Sequence, residues 1–274
     1  DIRNIKLLKE NISGNNYLIH LACISNDPSY ELNPSLGKAI NYDAFEPMVR
    51  ISKSEGISKF IYASSSSVYG IKNEKNVTED MTLEPLTDYS KYKAECERIL
   101  KNYKSNEFVT TVLRPSTVCG YAKRQRLDLV VNILTNHAFH NREIKVFGGD
   151  QLRPNIHIDD MVDSYLAVLN AEKSKINGEI FNIGFKNQTV AELAEEVKEI
   201  IGSDVIINKT HSDDNRSYHV SSEKILDKIG FSPKKTVKDA VNDLKIAFQK
   251  KFLINTFDNE FFFNIKRMNK INLT

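Results

Sequence analysis

The feature that most constrains this chain is an alternation of short apolar runs with amphipathic stretches of helical spacing, sustained through its first two-thirds. That pattern belongs to βαβ units laid over a parallel sheet. Residues 17–22 read as a buried strand, residues 39–55 as a helix with Ile40, Ala44, Met48 and Ile51 on one face, and residues 59–63 as the next strand. A helix over 88–103 and a strand over 109–113 follow, and Pro115 disfavours continuation of that strand. Beyond it the sequence predicts a helix over 127–137, a short strand over 144–147, a helix over 159–169 opened by an acidic pair, and a strand over 180–183. From Thr189 the pattern changes. Thr189 and Glu192 have capping-box spacing, and two further helices are expected over 221–229, ended by Gly230, and over 236–248. The expected class is α/β, a doubly wound parallel sheet with a smaller C-terminal α/β lobe. Residues 251–274, rich in Asn, Phe and Lys, carry no functional reading of their own.

With 274 residues, 41% of them hydrophobic, the chain has enough apolar surface for a sizeable core. Its 38 basic and 36 acidic side chains leave a net charge of +2, so no broad field recruits nucleic acid or a membrane surface. Cys23, Cys96 and Cys119 form neither a disulfide framework nor a metal-type pair, and no metal is expected; a reducing cytoplasm is the expected compartment. Neither an 18-residue apolar run nor a charged leader is present, so no membrane span or signal peptide is expected. The chain begins with Asp1 rather than Met, which suggests a fragment or a processed start.

Two local patterns carry chemistry. Tyr89 and Lys93 stand four apart at the start of the helix over 88–103, so they project from one face. A phenol becomes an effective base when a neighbouring ammonium favours its ionised form. The run Ser64-Ser65-Ser66-Ser67 follows directly on a strand, at the sheet end where open α/β folds place ligands. An ordinary exposed helix pair and a polar turn are the plain alternatives.

Taken in order, these residues resemble the extended short-chain dehydrogenase/reductase family, in particular its NAD-dependent nucleotide-sugar epimerases and dehydratases. The resemblance rests on His20-Leu21-Ala22, the serine run ending Val68-Tyr69-Gly70, Tyr89 with Lys93, Leu113-Arg114-Pro115 through Val118-Cys119-Gly120, and Arg153-Pro154-Asn155-Ile156-His157-Ile158-Asp159-Asp160. Phe181-Asn182-Ile183-Gly184 and Arg216-Ser217-Tyr218 extend it to about residue 245. The resemblance implies a Rossmann-type sheet over residues 1–150, incomplete at its start, with a nucleotide-sugar lobe mainly over 151–250 and the chain crossing between the two. It also implies that Tyr89 is the base, that Lys93 lowers its pKa and holds the nicotinamide ribose, and that Ser65 bonds the reacting sugar hydroxyl. Asp1, Ile2, Leu21, Ala22, Asn41, Ser64 and Pro115 would lie along the cofactor, NAD or NADP. Ser66, Ser67, Asn132, Arg153 and Arg216 would meet the nucleotide sugar. Arg124 or Arg126 could join them at the diphosphate, although the run 123–126 reads rather as a solvated loop; His157 reads as structural and Cys119 as a packed thiol.

Two departures matter. The glycine fingerprint that cradles a dinucleotide pyrophosphate is absent, as is the acidic residue for the adenosine ribose. A partial sequence is the simpler reading, and an uncovered strand edge is expected. In addition, Ser66 and Ser67 stand where the family's 4,6-dehydratases have an Asp-Glu pair, so epimerisation or keto-sugar reduction is expected ahead of dehydration. A catalytically silent nucleotide-sugar binder and an oxidoreductase of another substrate class remain as alternatives. The resemblance also implies a homodimer through the helices over 39–55 and 88–103.

Overall fold

The computed structural model describes residues 1–74, 76–211, 217 and 219–273. Along the chain run α1 (Ile5–Ile12), β1 (Tyr17–His20), α2 (Asp27–Glu31), α3 (Pro34–Lys38), a π-helical turn (Ala39–Asp43), α4 (Phe45–Ser54), β2 (Lys59–Ala63) and a 3-10 turn (Ser66–Tyr69). Then come α5 (Asp88–Lys101), β3 (Val109–Pro115), β4 (Thr117–Cys119), α6 (Val130–Asn141), β5 (Glu143–Phe147), β6 (Leu152–His157), α7 (Ile158–Asn170) and α8 (Lys173–Ile176). The remainder is β7 (Glu179–Ile183), β8 (Lys186–Thr189), α9 (Val190–Ile201), β9 (Ile206–Thr210), α10 (Glu223–Ile229), α11 (Val237–Gln249), a second 3-10 turn (Glu260–Phe262) and α12 (Asn264–Lys270).

The four long-range apolar runs join as one all-parallel sheet in the order β1-β2-β3-β7. Strand periodicity divides β2 between two cores. Phe60 and Tyr62 pack with Phe45, Met48, Val49, Cys96, Leu100 and Phe108 under α4 and α5. Ile61 packs on the opposite face with Leu113, Met161, Val168, Phe181 and Ile225 under α7 and α10. Helices on both faces make this the doubly wound, Rossmann-like arrangement expected. β1 has β2 on one side and no strand on the other among the described residues, and Tyr17 and the adjoining Leu21 are exposed.

The smaller lobe gathers α6, α9 and α11 around Val131, Leu134, Leu193, Val197, Val237 and Val241, with Ile144 and Val146 of β5. Because α6 and β5 precede residue 150 while β7 returns to the large sheet, the lobe draws on both sides of that position rather than starting there. The three-stranded sheet β4-β6-β8 lies at the crossing.

Local signals explain most boundaries. Thr189 and Glu192 form the expected capping box, Thr87 with Ser90 and Thr236 with Asp239 form two more, and Gly230 ends α10 in the left-handed region at φ 73°. Residues 39–55 are not one α-helix. A π-helical turn at Ala39–Asp43 interrupts the run and places Asn41 inward, where it is buried. Among the described residues, no helix is long and apolar enough to cross a membrane.

Candidate active site

The C-terminal ends of β2 and β3 open onto a cavity of about 480 Å³. From the sheet side it is lined by Ser64, Ser65, Ser66, Ser67, Tyr89 and Pro115, and from the lobe side by Asn132 and Arg153. These residues are widely spaced in sequence. The crossovers of the parallel sheet bring them together at one end, as the fold requires.

Ser65 caps the 3-10 turn: its Oγ accepts from Ser67 N at 3.1 Å and from Ser67 Oγ at 2.9 Å. With two acceptances made, the Ser65 hydroxyl proton remains to donate into the cavity. Gly70 ends this turn at φ 68°, and a Cβ there would stand 2.0 Å from the Glu84 carbonyl oxygen. Only glycine lets the serine run bend over the strand end in this way.

Tyr89 occupies the first turn of α5, capped by Thr87, whose Oγ donates to Asp27 Oδ1. One turn on, the buried Lys93 Nζ donates to Ala63 O at 2.7 Å and lies 5.0 Å from the Tyr62 ring centre and 5.9 Å from that of Tyr89. Lys93 therefore pins α5 to the end of β2, directly before the serine run. The Tyr89 phenol is raised above its ordinary value by burial. The Lys93 ammonium acts to lower it, but burial, with Cys23 and Asp27, prevails. This corrects the simple expectation of a phenol already lowered by its neighbour. For Lys93, burial works against the ammonium, yet the Cys23 thiol and the Tyr89 phenol outweigh it and hold its pKa up.

Behind the serines lies a buried charged network. Ser64 Oγ donates to Glu97 Oε1, and Arg114 donates through Nε to Oε1 at 3.1 Å and through Nη2 to Oε2 at 2.7 Å. Arg114 Nη1 donates to the Tyr69 hydroxyl at 2.7 Å, which in turn donates to Asn182 Oδ1 at 2.7 Å. Glu97 falls one turn after Lys93, so Tyr89, Lys93 and Glu97 form a single stripe of α5 facing β2 and β3. In the sequence Tyr69, Arg114 and Asn182 stand out only as parts of motifs, and Glu97 belongs to none of them. The one signal for Glu97 is a carboxylate at helical spacing from Lys93.

Other expected residues fall differently. Asn41 spends both side-chain atoms on the main chain of Ile24, at 2.8 and 2.9 Å, so it shapes the loop after β1 instead of reaching the cavity. Asp1 is exposed and salt-bridged to Arg3, and neither it nor Ile2, Leu21 or Ala22 lines the cavity. Asn132 accepts from Gly120 N at 3.0 Å and donates to Arg126 O at 2.8 Å, so its amide also holds the loop that carries Arg126. Arg153 lines the cavity and donates to Leu152 O, while Arg216 lies outside the described residues.

Residues 123–126 are not a simple solvated loop. Gln125 is 2% exposed, Leu127 is fully buried, and Arg124 and Arg126 line the cavity. Arg126 pairs with Asp128 at 2.9 Å, and its buried Nη2 has no hydrogen-bond partner among the described residues. Cys119 is buried, bonds Ile156 O, and is pushed up to about 12 by burial, which suits a packed thiol. His157, Asp159 and Asp243 approach closely enough to suggest a cation, and this candidate site is empty. His157 Nδ1 accepts from Asp159 N, leaving Nε2 to donate to Asp243, and Lys235 bridges the two carboxylates.

Comparison with known proteins bears on the family and the fold. The model of the NAD dependent epimerase/dehydratase family matches residues 1–184. A mouse dTDP-D-glucose 4,6-dehydratase is 27% identical over 78% of this chain and 62% of its own length, and YtcB of Bacillus subtilis, described as an uncharacterized UDP-glucose epimerase, is 33% identical over 60% and 51%. The chain thus spans about half to three-fifths of the length of these curated relatives. A UDP-glucuronic acid 4-epimerase from Bacillus cereus, solved with UDP-glucuronic acid and NAD, superposes with a TM-score of 0.79 at 26% identity over 92% of this chain and 80% of that one. The family match starts at the first residue and ends just past β7, the strand that completes the sheet behind the cavity, and this chain belongs to the NAD dependent epimerase/dehydratase family.

Proposed function

We propose that this protein is an NAD-dependent epimerase, or a closely related oxidoreductase, acting on a nucleotide-activated sugar through a keto-sugar intermediate. The observation that carries the reading is that Tyr89 and Ser65 line one cavity while Lys93 stands directly behind the phenol. In this reading Ser65 donates to the oxygen of the reacting sugar hydroxyl, and Tyr89, once ionised, takes that hydroxyl's proton. Lys93 steadies the phenolate and, through its remaining donors, the ribose beside it. The burial that raises Tyr89 has a use here, because an ammonium acts most strongly where water is absent.

The residues at the ends of β1 to β3 fit the nicotinamide half of a dinucleotide: Lys93 and Tyr89 for the ribose, with Ser64 and Pro115 beside the ring. The bound cofactor, NAD or NADP, supplies reversible hydride acceptance at the carbon that bears the hydroxyl. Arg153, with Arg124 and Arg126, gives the cavity the cationic character that a diphosphate needs, and the spare Nη2 of Arg126 suits an anionic oxygen.

The absence of a carboxylate pair after Ser65 supports epimerisation or keto reduction over dehydration, since elimination of water needs an acid and a base that Ser66 and Ser67 do not provide. The protein acts in the cytoplasm, where its three unpaired thiols stay reduced, and as a homodimer through α4 and α5. The test is interconversion of UDP- and dTDP-hexoses with NAD added. Tyr89→Phe is expected to lower kcat by at least about a hundred-fold, in line with general base catalysis, without changing the fold by circular dichroism. A variant that turns over like the parent ends the assignment.

A further inference from the structure

The last stretch of the chain lies beyond the family match and has no counterpart among the motifs, yet it contacts residues that line the cavity. Leu253, Phe262 and Phe263 pack with Leu127, Leu244, Ala247 and Phe248, which ties the stretch to α11 and to the segment before α6. Leu127 N donates to Phe262 O at 2.9 Å, extending that attachment along the backbone.

Asn264 then meets both sides of the cavity mouth. Its main-chain N–H donates to Asp128 Oδ2 at 3.0 Å, and its side-chain amide donates to Ser25 Oγ at 3.0 Å and accepts from Arg124 Nη2 at 3.2 Å. Ser25 belongs to the loop after β1, on the sheet side; Arg124 and Asp128 belong to the lobe side. Arg126 reaches the same Ser25 hydroxyl at 3.3 Å while pairing with Asp128. One asparagine therefore joins three residues that either line the cavity or hold a side chain that does, and α12 continues from it against α2.

We infer that residues 252–273 form a strap across the mouth of the nucleotide-sugar cavity, and that Asn264 is a positioning residue that sets Arg124 and Arg126 for an anionic group of the ligand. The inference rests on the nucleotide-sugar reading of that cavity. A ligand held by arginines on a loop gains affinity when the loop is ordered in advance, because less motion is lost on binding. The strap supplies that order. Its hydrogen bonds go to Ser25, Arg124, Leu127 and Asp128 and not to Tyr89 or Lys93, so its effect falls on binding and not on the chemical step.

The probe is UDP, titrated calorimetrically into the parent, Asn264→Ala and Phe262→Ala, with hydrogen exchange followed over residues 122–128. Expected are roughly ten-fold weaker UDP binding in each variant, a factor equal to about 1.4 kcal/mol, and faster exchange at the Leu127 amide. With a substrate in hand, KM rises several-fold while kcat stays within about two-fold. Faster exchange with unchanged UDP affinity overturns the role at the cavity, and unchanged exchange in both variants overturns the strap. Failure of the parent to bind UDP instead removes the nucleotide reading, and the exchange comparison still decides whether the stretch orders the arginine loop.

Discussion

Truncation of Glu97 to alanine isolates the network behind the serine run, and its cost can be worked from the structure. The carboxylate and Arg114 are only 4% and 3% exposed and share two hydrogen bonds, while Ser64 donates a third. Burial acts to lower the Arg114 pKa and the pair with Glu97 holds it up, but a guanidinium does not give up its proton in a protein, so the group left behind stays charged. Glu97→Ala thus leaves a buried cation without its counter-ion and a buried hydroxyl without an acceptor. Breaking a buried pair from one side costs about 3–5 kcal/mol, a large share of the roughly 5–15 kcal/mol that folded domains possess. The double variant Glu97→Leu/Arg114→Met removes both charges and should recover at least half of the loss, since a buried pair is worth little against well-packed apolar groups. The chain has no Trp, so urea unfolding followed by far-ultraviolet circular dichroism is the suitable assay. A single variant costing under about 1 kcal/mol, or a double variant less stable than the single, refutes the reasoning.

The stability of the fold should also fall in mild acid because of His20, which burial, seconded by Lys93, lowers to about 3. Between the unfolded value of about 6.5 and that folded value, only the unfolded chain takes up the proton, so stability drops by about 1.4 kcal/mol per pH unit as pH falls. His20→Phe should flatten the decline of the urea midpoint between pH 6 and pH 4, and an unchanged slope contradicts the assignment. Gly70→Ala should destabilise by at least about 2 kcal/mol, because it combines a left-handed backbone with a clash against the Glu84 carbonyl. A urea midpoint equal to the parent's would show that the turn can relax.

What the sequence alone determined was everything set by periodicity and local chemistry. The apolar runs named the four strands of the main sheet, Thr189 with Glu192 and Gly230 marked helix ends, and Tyr89 with Lys93 and the serine run marked the end of the sheet where a ligand belongs. These signals are legible because they depend on neighbours within about a turn or a strand. Tertiary structure alone decided the rest. Asn41 turns to Ile24 because a π-helical turn redirects it, Arg126 is held at the cavity because Asn132 and Asp128 fix its loop, and Tyr89 rises in pKa because burial outweighs the cation beside it. Glu97 is tied to Arg114, 17 residues away, and Asn264 to Ser25, 239 residues away. Contacts of that kind leave no periodic trace, since their energy depends on which surfaces the chain brings together and on the water it removes in doing so.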